Sequence, residues 1–289
     1  MNNILYYILI LPISYLPKNL LYGLSNISYL ILGRVIKYRN HIITTNLKNS
    51  FPNKPNSSLI EIKQSFYKHF CDLIFESLKG FTISKRNIEN RIKINNQDLL
   101  NSFAENGKDV ILIGGHYNNW EMTAQRMPLV SKHDLFAIYK PLKNKFYDQK
   151  MRNSREKFGL KMIPMKKTKD YFNNNTDKPR AIIFGSDQSP SNSKNAHWIN
   201  FLNQDTGFLF GAEKYSKEFN WPVVYVSIQK IKRGSYEVDY KLLTDDPKSE
   251  PNGRIIEKFA ELLENDINNA PSFWLWTHNR WKKKNKLNT

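Results

Sequence analysis

The segment Gly114, Gly115, His116, Tyr117, Asn118, Asn119, Trp120, Glu121 sets an imidazole and a carboxylate in an H-x4-E spacing directly after the apolar run VILIGG. An imidazole has an ordinary pKa of about 6.5, so it can accept and return a proton near neutrality. A carboxylate beside it can fix its tautomer and stabilise the imidazolium. On an ideal helix this spacing turns the two side chains about 140° apart. His116 is therefore expected in a turn, with Glu121 in the first helical turn reaching back to a ring N–H. The same residues also allow a histidine that only caps the helix or satisfies local hydrogen bonds, and Asn119 has the chemistry of an N-cap.

The elements around the motif follow from periodicity. Val110 to Gly115 is a short continuous apolar run ending in two glycines, which predicts a buried strand closing in a tight turn. Further strands are expected at Leu135–Tyr139, Ala181–Phe184, His197–Phe201, Pro222–Gln229 and Tyr236–Leu243. Helical spacing occupies Asn56–Ile88, Glu121–Leu129, Lys145–Phe158, Phe208–Phe219 and Arg254–Asn268. Alternating strands and helices predict an α/β fold, a mainly parallel or mixed central sheet flanked by helices. In such sheets ligands bind at the C-terminal ends of the strands, where His116 falls.

The first 36 residues differ from the rest. Ile4–Leu16 and Leu20–Leu32 are nearly all apolar, and Lys18, Arg34, Lys37, Arg39, Lys48 and Lys54 all precede Glu61, the first acidic residue. A helix of about 13 residues is roughly 20 Å long, short of the roughly 30 Å hydrocarbon core. A bent anchor or a pair of interfacial helices fits, and the basic residues suit anionic headgroups with the bulk of the chain on the cytoplasmic side. Two buried core helices are the competing expectation. The division expected is residues 1–36 for membrane association and 37–289 for one catalytic domain.

Composition narrows the partners. Lys and Arg number 44 against 26 Asp and Glu, a net charge of +18 that favours polyanions: nucleic acid, acidic lipid or an acidic carrier protein. The absence of any nucleic-acid motif and the apolar N-terminus argue against the first. The single cysteine, Cys71, lies in the apolar pattern HFCDLIFESL, where it is expected to pack in the core. No Cys/His set has zinc spacing and no glycine-rich phosphate loop is present, so neither metal nor nucleotide cofactor is expected. His133 and Asp134 are expected on a surface loop.

GGHYNNWE resembles the H-x4-D/E block of glycerolipid acyltransferases, in the GGHxxNWE form of the lipid A biosynthesis acyltransferases. YRNHIITTNLKNSFP, YKPLKNKFYDQKMRNSREKFG, GSDQSP, the Gly207–Pro222 region and FWLWTHNRWK resemble that family's other blocks, in the same order, so the likeness covers nearly the whole chain. The resemblance implies a glycerolipid acyltransferase-like fold and transfer of a fatty acyl group from an acyl carrier protein thioester to a hydroxyl of a lipid A precursor at the bacterial inner membrane. His116 would be the general base and Glu121 its partner. A phospholipid, an aminolipid or a pigment precursor would be an alternative acceptor for the same chemistry. Substrate contacts would come from Asn119 and from Lys140, Arg155 and Asp187. Lys140 stands where better-known members carry Arg, which keeps the charge and loses the bidentate fork. Arg155 could also be a solvated helix residue and Asp187 a turn cap. The aromatic and basic end, Phe273 to Trp281, suits either a membrane interface or the core.

Overall fold

The computed structural model describes residues 2–174, 176–190 and 196–283. Nine strands form among them: β1 (Ile92–Ile94), β2 (Val110–Gly114), β3 (Asp134–Tyr139), β4 (Lys161–Pro164), β5 (Arg180–Gly185), β6 (Ala196–Phe201), β7 (Gln204–Leu209), β8 (Val223–Lys232) and β9 (Ser235–Thr244). Seven make one sheet in the order β1-β9-β8-β2-β5-β3-β4, and β6 and β7 pair as a separate antiparallel hairpin. All neighbours in the large sheet are parallel except β8 and β9. The expected mixed α/β sheet is therefore present.

Strand β2 shows why the sheet holds together. Its residues Ile111 and Ile113 join one apolar cluster while Val110 and Leu112 join another, all four excluded from solvent. Successive side chains point to opposite faces, so a strand covered on both sides reads as an unbroken apolar run rather than an alternating one. The six expected strands are found within a few residues of their predicted limits. The three unexpected ones are β1, with three residues, β4, which ends in Pro164, and β7, which carries Gln204, Asp205 and Gly207. None has the length or apolar content that periodicity needs.

The expected helix at Asn56–Ile88 is two helices, Asn56–Gly80 and Lys85–Arg91. The second begins at Ser84, whose hydroxyl accepts the Asn87 N–H. His133 and Asp134 do not form a surface loop. His133 is buried, with its Nε2 at 3.0 Å from the Lys108 carbonyl, and Asp134 opens β3. Cys71 is buried as expected, and burial pushes its thiol up to about 11, which leaves it a core residue rather than a nucleophile.

The N-terminal region is helical over 2–15 and 18–35, broken at Pro17. Tyr6, Leu21, Tyr22 and Tyr29 are buried, and Leu21, Tyr22 and Tyr29 belong to the Lys18–Tyr29 helix that packs along Asn56–Gly80. The opposite side leaves Ile4, Ile8, Leu20, Ile27 and Val35 exposed. The pair is thus neither wholly core nor wholly detached: one apolar face is used and one is not. No helix among the described residues is long and apolar enough to cross a membrane.

Beneath these helices lies Glu76, completely buried on Asn56–Gly80. Its carboxylate accepts hydrogen bonds from the Tyr22 hydroxyl (2.6 Å), the Tyr236 hydroxyl (2.8 Å) and the Asn119 amide (2.6 Å). One side chain therefore ties an N-terminal helix, strand β9 and the GGHYNNWE segment together. The Phe273–Trp281 block is mostly interior: Trp274, Trp276 and Arg280 are buried, which settles those residues as core rather than interface.

Candidate active site

Strands β2 and β5 lie side by side, with Gly114 paired to Gly185, and the Ser186 N–H donates to the Gly114 carbonyl at 3.1 Å. His116 and Asp187 each follow two residues beyond that pair, so parallel register delivers both to the same edge of the sheet. The His116 Nδ1 and Asp187 Oδ1 are 2.6 Å apart, and the His116 backbone N–H donates to Oδ2 at 2.8 Å. The indole N–H of Trp274 donates to the same Oδ2 at 2.8 Å. Glycine leaves room where the groups close in. A Cβ on Gly185 would sit 3.2 Å from the His116 Cε1, and one on Gly115 would sit 2.8 Å from a Leu263 methyl.

The turn itself is pinned from the other side. Asn118 adopts φ 53° and donates from its backbone N–H to the Phe273 carbonyl at 2.9 Å and from its side chain to the Ile228 carbonyl at 2.8 Å. The Leu275 N–H donates to the His116 carbonyl at 3.1 Å. Asn119 caps the Trp120–Arg126 helix, accepting the Met122 N–H at 3.0 Å, and is buried against Glu76. It is a structural cap and does not line the cavity described below, so the expected substrate contact from Asn119 is absent in this geometry.

Glu121 does not reach back to the imidazole. Arg155 holds it with a two-pronged pair, Nε to Oε2 at 2.9 Å and Nη2 to Oε1 at 2.5 Å. The expected imidazole–carboxylate contact thus exists with a different carboxylate. The physical reason is that the first helical turn after His116 faces Lys145–Glu156, which carries Arg155, whereas the end of β5 faces the ring. Arg155 is accordingly no solvated helix residue, and Asp187 is no turn cap.

Electrostatics follow the geometry. Burial disfavours the imidazolium of His116, but the charge and hydrogen bond of Asp187 outweigh it and leave the ring more basic than an ordinary histidine. Burial likewise penalises the Asp187 carboxylate, yet His116 and the Trp274 donor hold it down at about 2. The carboxylate is therefore the acceptor and Nδ1 the donor, and the neutral ring carries its lone pair on Nε2. Nearby His278 is the contrasting case: burial lowers it to about 4, and its Nε2 accepts the Ser189 N–H at 3.0 Å. Gln188, which sequence reasoning did not single out, has its Nε2 3.0 Å from the His116 Nε2. Its adjacency to Asp187 within GSDQSP was the only available signal.

His116 and Gln188 border a cavity of about 410 Å³ that also takes in Lys140, at the end of β3, and the Glu121–Arg155 pair. Its inner wall is apolar and buried, including Met127, Leu160, Met162, Val226 and Ile228. The cavity therefore combines an imidazole and cations with an extensive apolar lining suited to hydrocarbon. Trp120 packs edge-on to the imidazole with ring centres 5.1 Å apart.

The arrangement suits proton abstraction from a hydroxyl beside a long apolar substituent. An enzyme that relied on His116 as a base, with the ring more basic than usual, should show a kcat/KM that falls on the acid side with a midpoint above 6.5. A pH–rate profile flat down to pH 6 would contradict it.

No curated relative matches the chain. The model of the bacterial lipid A biosynthesis acyltransferase family matches residues 2–283, nearly the whole sequence. The chain belongs to that family, and it is an acyltransferase of lipid A synthesis.

Proposed function

We propose that the enzyme moves a fatty acyl group from an acyl carrier protein thioester to a hydroxyl of a lipid A precursor, with His116 as general base. The observation that carries the proposal is the Asp187–His116 pair, with His116 bordering a largely apolar cavity. Nε2 takes the hydroxyl proton as the oxygen attacks the thioester carbonyl, and the resulting imidazolium is stabilised by Asp187. Collapse of the tetrahedral intermediate breaks the C–S bond, and the leaving sulfur takes the proton back from Nε2. The apolar wall receives the acyl chain. Lys140 and Arg155 supply positive charge for the phosphate-bearing acceptor or the oxyanion, with Glu121 holding Arg155 in orientation.

The exposed apolar face of residues 4–35, bordered by Lys18, Arg34, Lys37 and Arg39, supports a place on the cytoplasmic surface of the inner membrane, with the anionic headgroups as partner. The net charge of +18 suits an acidic carrier protein as well.

The direct test is incubation of the enzyme in membranes with acyl carrier protein thioesters or acyl-coenzyme A and candidate acceptors, followed by mass analysis. The expected product is a lipid A precursor heavier by one acyl group, formed from the carrier protein thioester. Acylation only of a phospholipid would overturn the acceptor, and use of coenzyme A alone would overturn the donor.

A further inference from the structure

The Nε2 of His116, the atom assigned to receive the acceptor proton, already has a partner. Nδ1 keeps its proton and donates it in a hydrogen bond to Asp187, so Nε2 offers a single in-plane lone pair, and the only group of Gln188 that can satisfy it is an amide N–H. Gln188 lines the cavity beside His116. An incoming hydroxyl must donate to that same lone pair and cannot do so while the amide does.

We propose that Gln188 is a positioning residue that keeps His116 a free base and stands in for the acceptor hydroxyl until that hydroxyl displaces it. The inference rests on His116 being the base. A donor on Nε2 stabilises the neutral ring and only the neutral ring, because the imidazolium carries a proton there. It also fixes the tautomer from the second side, so the ring is held as Nδ1–H between a carboxylate and an amide. This role offsets the neighbouring charges. Asp187 and Glu121 favour the imidazolium and Arg155 disfavours it; Lys140, Tyr139 and Asp148 in the cavity, and His278 and Arg280 on the C-terminal segment, are further titratable groups on the elements around the ring. A carboxylate hydrogen-bonded to a catalytic imidazole, with a second one nearby, would leave it protonated over part of the working pH range without a counterweight. After transfer, rotation of the amide by half a turn presents its oxygen to the new Nε2–H, so the same side chain can accept where it had donated.

The test compares Gln188→Leu, of similar size with no donor, and Gln188→Glu, which places an acceptor where the donor was. Both should move the acid limb of kcat/KM upward, by about half a pH unit for leucine and by more than one for glutamate. In both, the activity lost at pH 7 should be recovered by raising the pH. Gln188→Leu should also lower the KM for the acceptor a fewfold, because nothing has to be displaced. Nitrogen NMR of the His116 ring in the substrate-free enzyme should show the Nδ1–H tautomer in the parent and a higher titration midpoint in both variants. Acid limbs and ring titrations unchanged in both, with activity reduced equally at every pH, would overturn the proposal and leave Gln188 a packing residue. If leucine does not fold, the glutamate variant and the ring titration still decide. A fully active His116→Ala enzyme would instead remove the base assignment itself, so the two failures are distinguishable.

Discussion

Asp187→Asn is expected to lower kcat by about 10³-fold or more, with little change in acceptor KM, while the protein stays folded. The Oδ2 position accepts two donors, the His116 backbone N–H and the Trp274 indole, so the asparagine oxygen must take that place. Its NH2 group then faces the His116 Nδ1 and forces the lone pair there. The proton moves to Nε2, and the ring meets the acceptor hydroxyl with the wrong face. His116→Ala should cost at least as much, because no base is left. Glu121→Gln is expected to cost less than Asp187→Asn, since it disturbs Arg155 rather than the base. Steady-state kinetics with circular dichroism as a folding control would check all three. A Glu121 variant more impaired than Asp187→Asn would return the partner role to Glu121.

That ordering marks where the sequence was readable and where it was not. His116 stood out because glycines, an apolar strand and an imidazole came together within a few residues. The nearest carboxylate in sequence was Glu121, and local spacing could offer no other. Asp187 is 71 residues away, and only the pairing of β5 with β2 brings it close. Sheet order is a property of long-range contacts, invisible to periodicity. The same holds for β7, whose Gln204 and Asp205 hide an edge hairpin, and for Asn119, whose cap was foreseen but whose bond to Glu76 was not. Strand β2 and the first half of β8 were legible because both their faces are buried, and β9 because its buried residues alternate.

Glu76→Leu is the second large effect, and it concerns stability. Leucine would leave the hydroxyls of Tyr22 and Tyr236 and the amide of Asn119 without an acceptor in a closed interior, at a cost on the order of 3–5 kcal/mol. Unfolding by denaturant would measure it. Because Asn119 opens the helix after the catalytic turn, activity should fall as well. Glu76→Gln should be milder, because it keeps the size and one acceptor oxygen without a charge. Burial raises the Glu76 carboxyl above its ordinary 4.5 despite three donors that lower it. A group whose folded pKa is raised favours folding below the unfolded value and loses that contribution as pH climbs through the folded one. The parent should therefore lose stability as the pH rises above about 4.5 to an extent that Glu76→Gln does not. Identical pH dependence in the two proteins would show that Glu76 is ionised at no cost.

The pairing of Gly114 with Gly185 has a consequence for how this enzyme can change. The His116–Asp187 contact is set by the stagger of two central strands, and a one-residue slip would send Asp187 to the far side of the sheet. The walls of the cavity draw on three kinds of element: strands supply Met162, Val226 and Ile228, helices supply Met127 and Arg155, and loops supply Lys140 and Leu160. Only the helix and loop part of that wall can vary without touching the sheet. New acyl lengths can be explored at positions such as Met127 and Leu160 while the stagger of β2 and β5, and with it the His116–Asp187 contact, stays fixed.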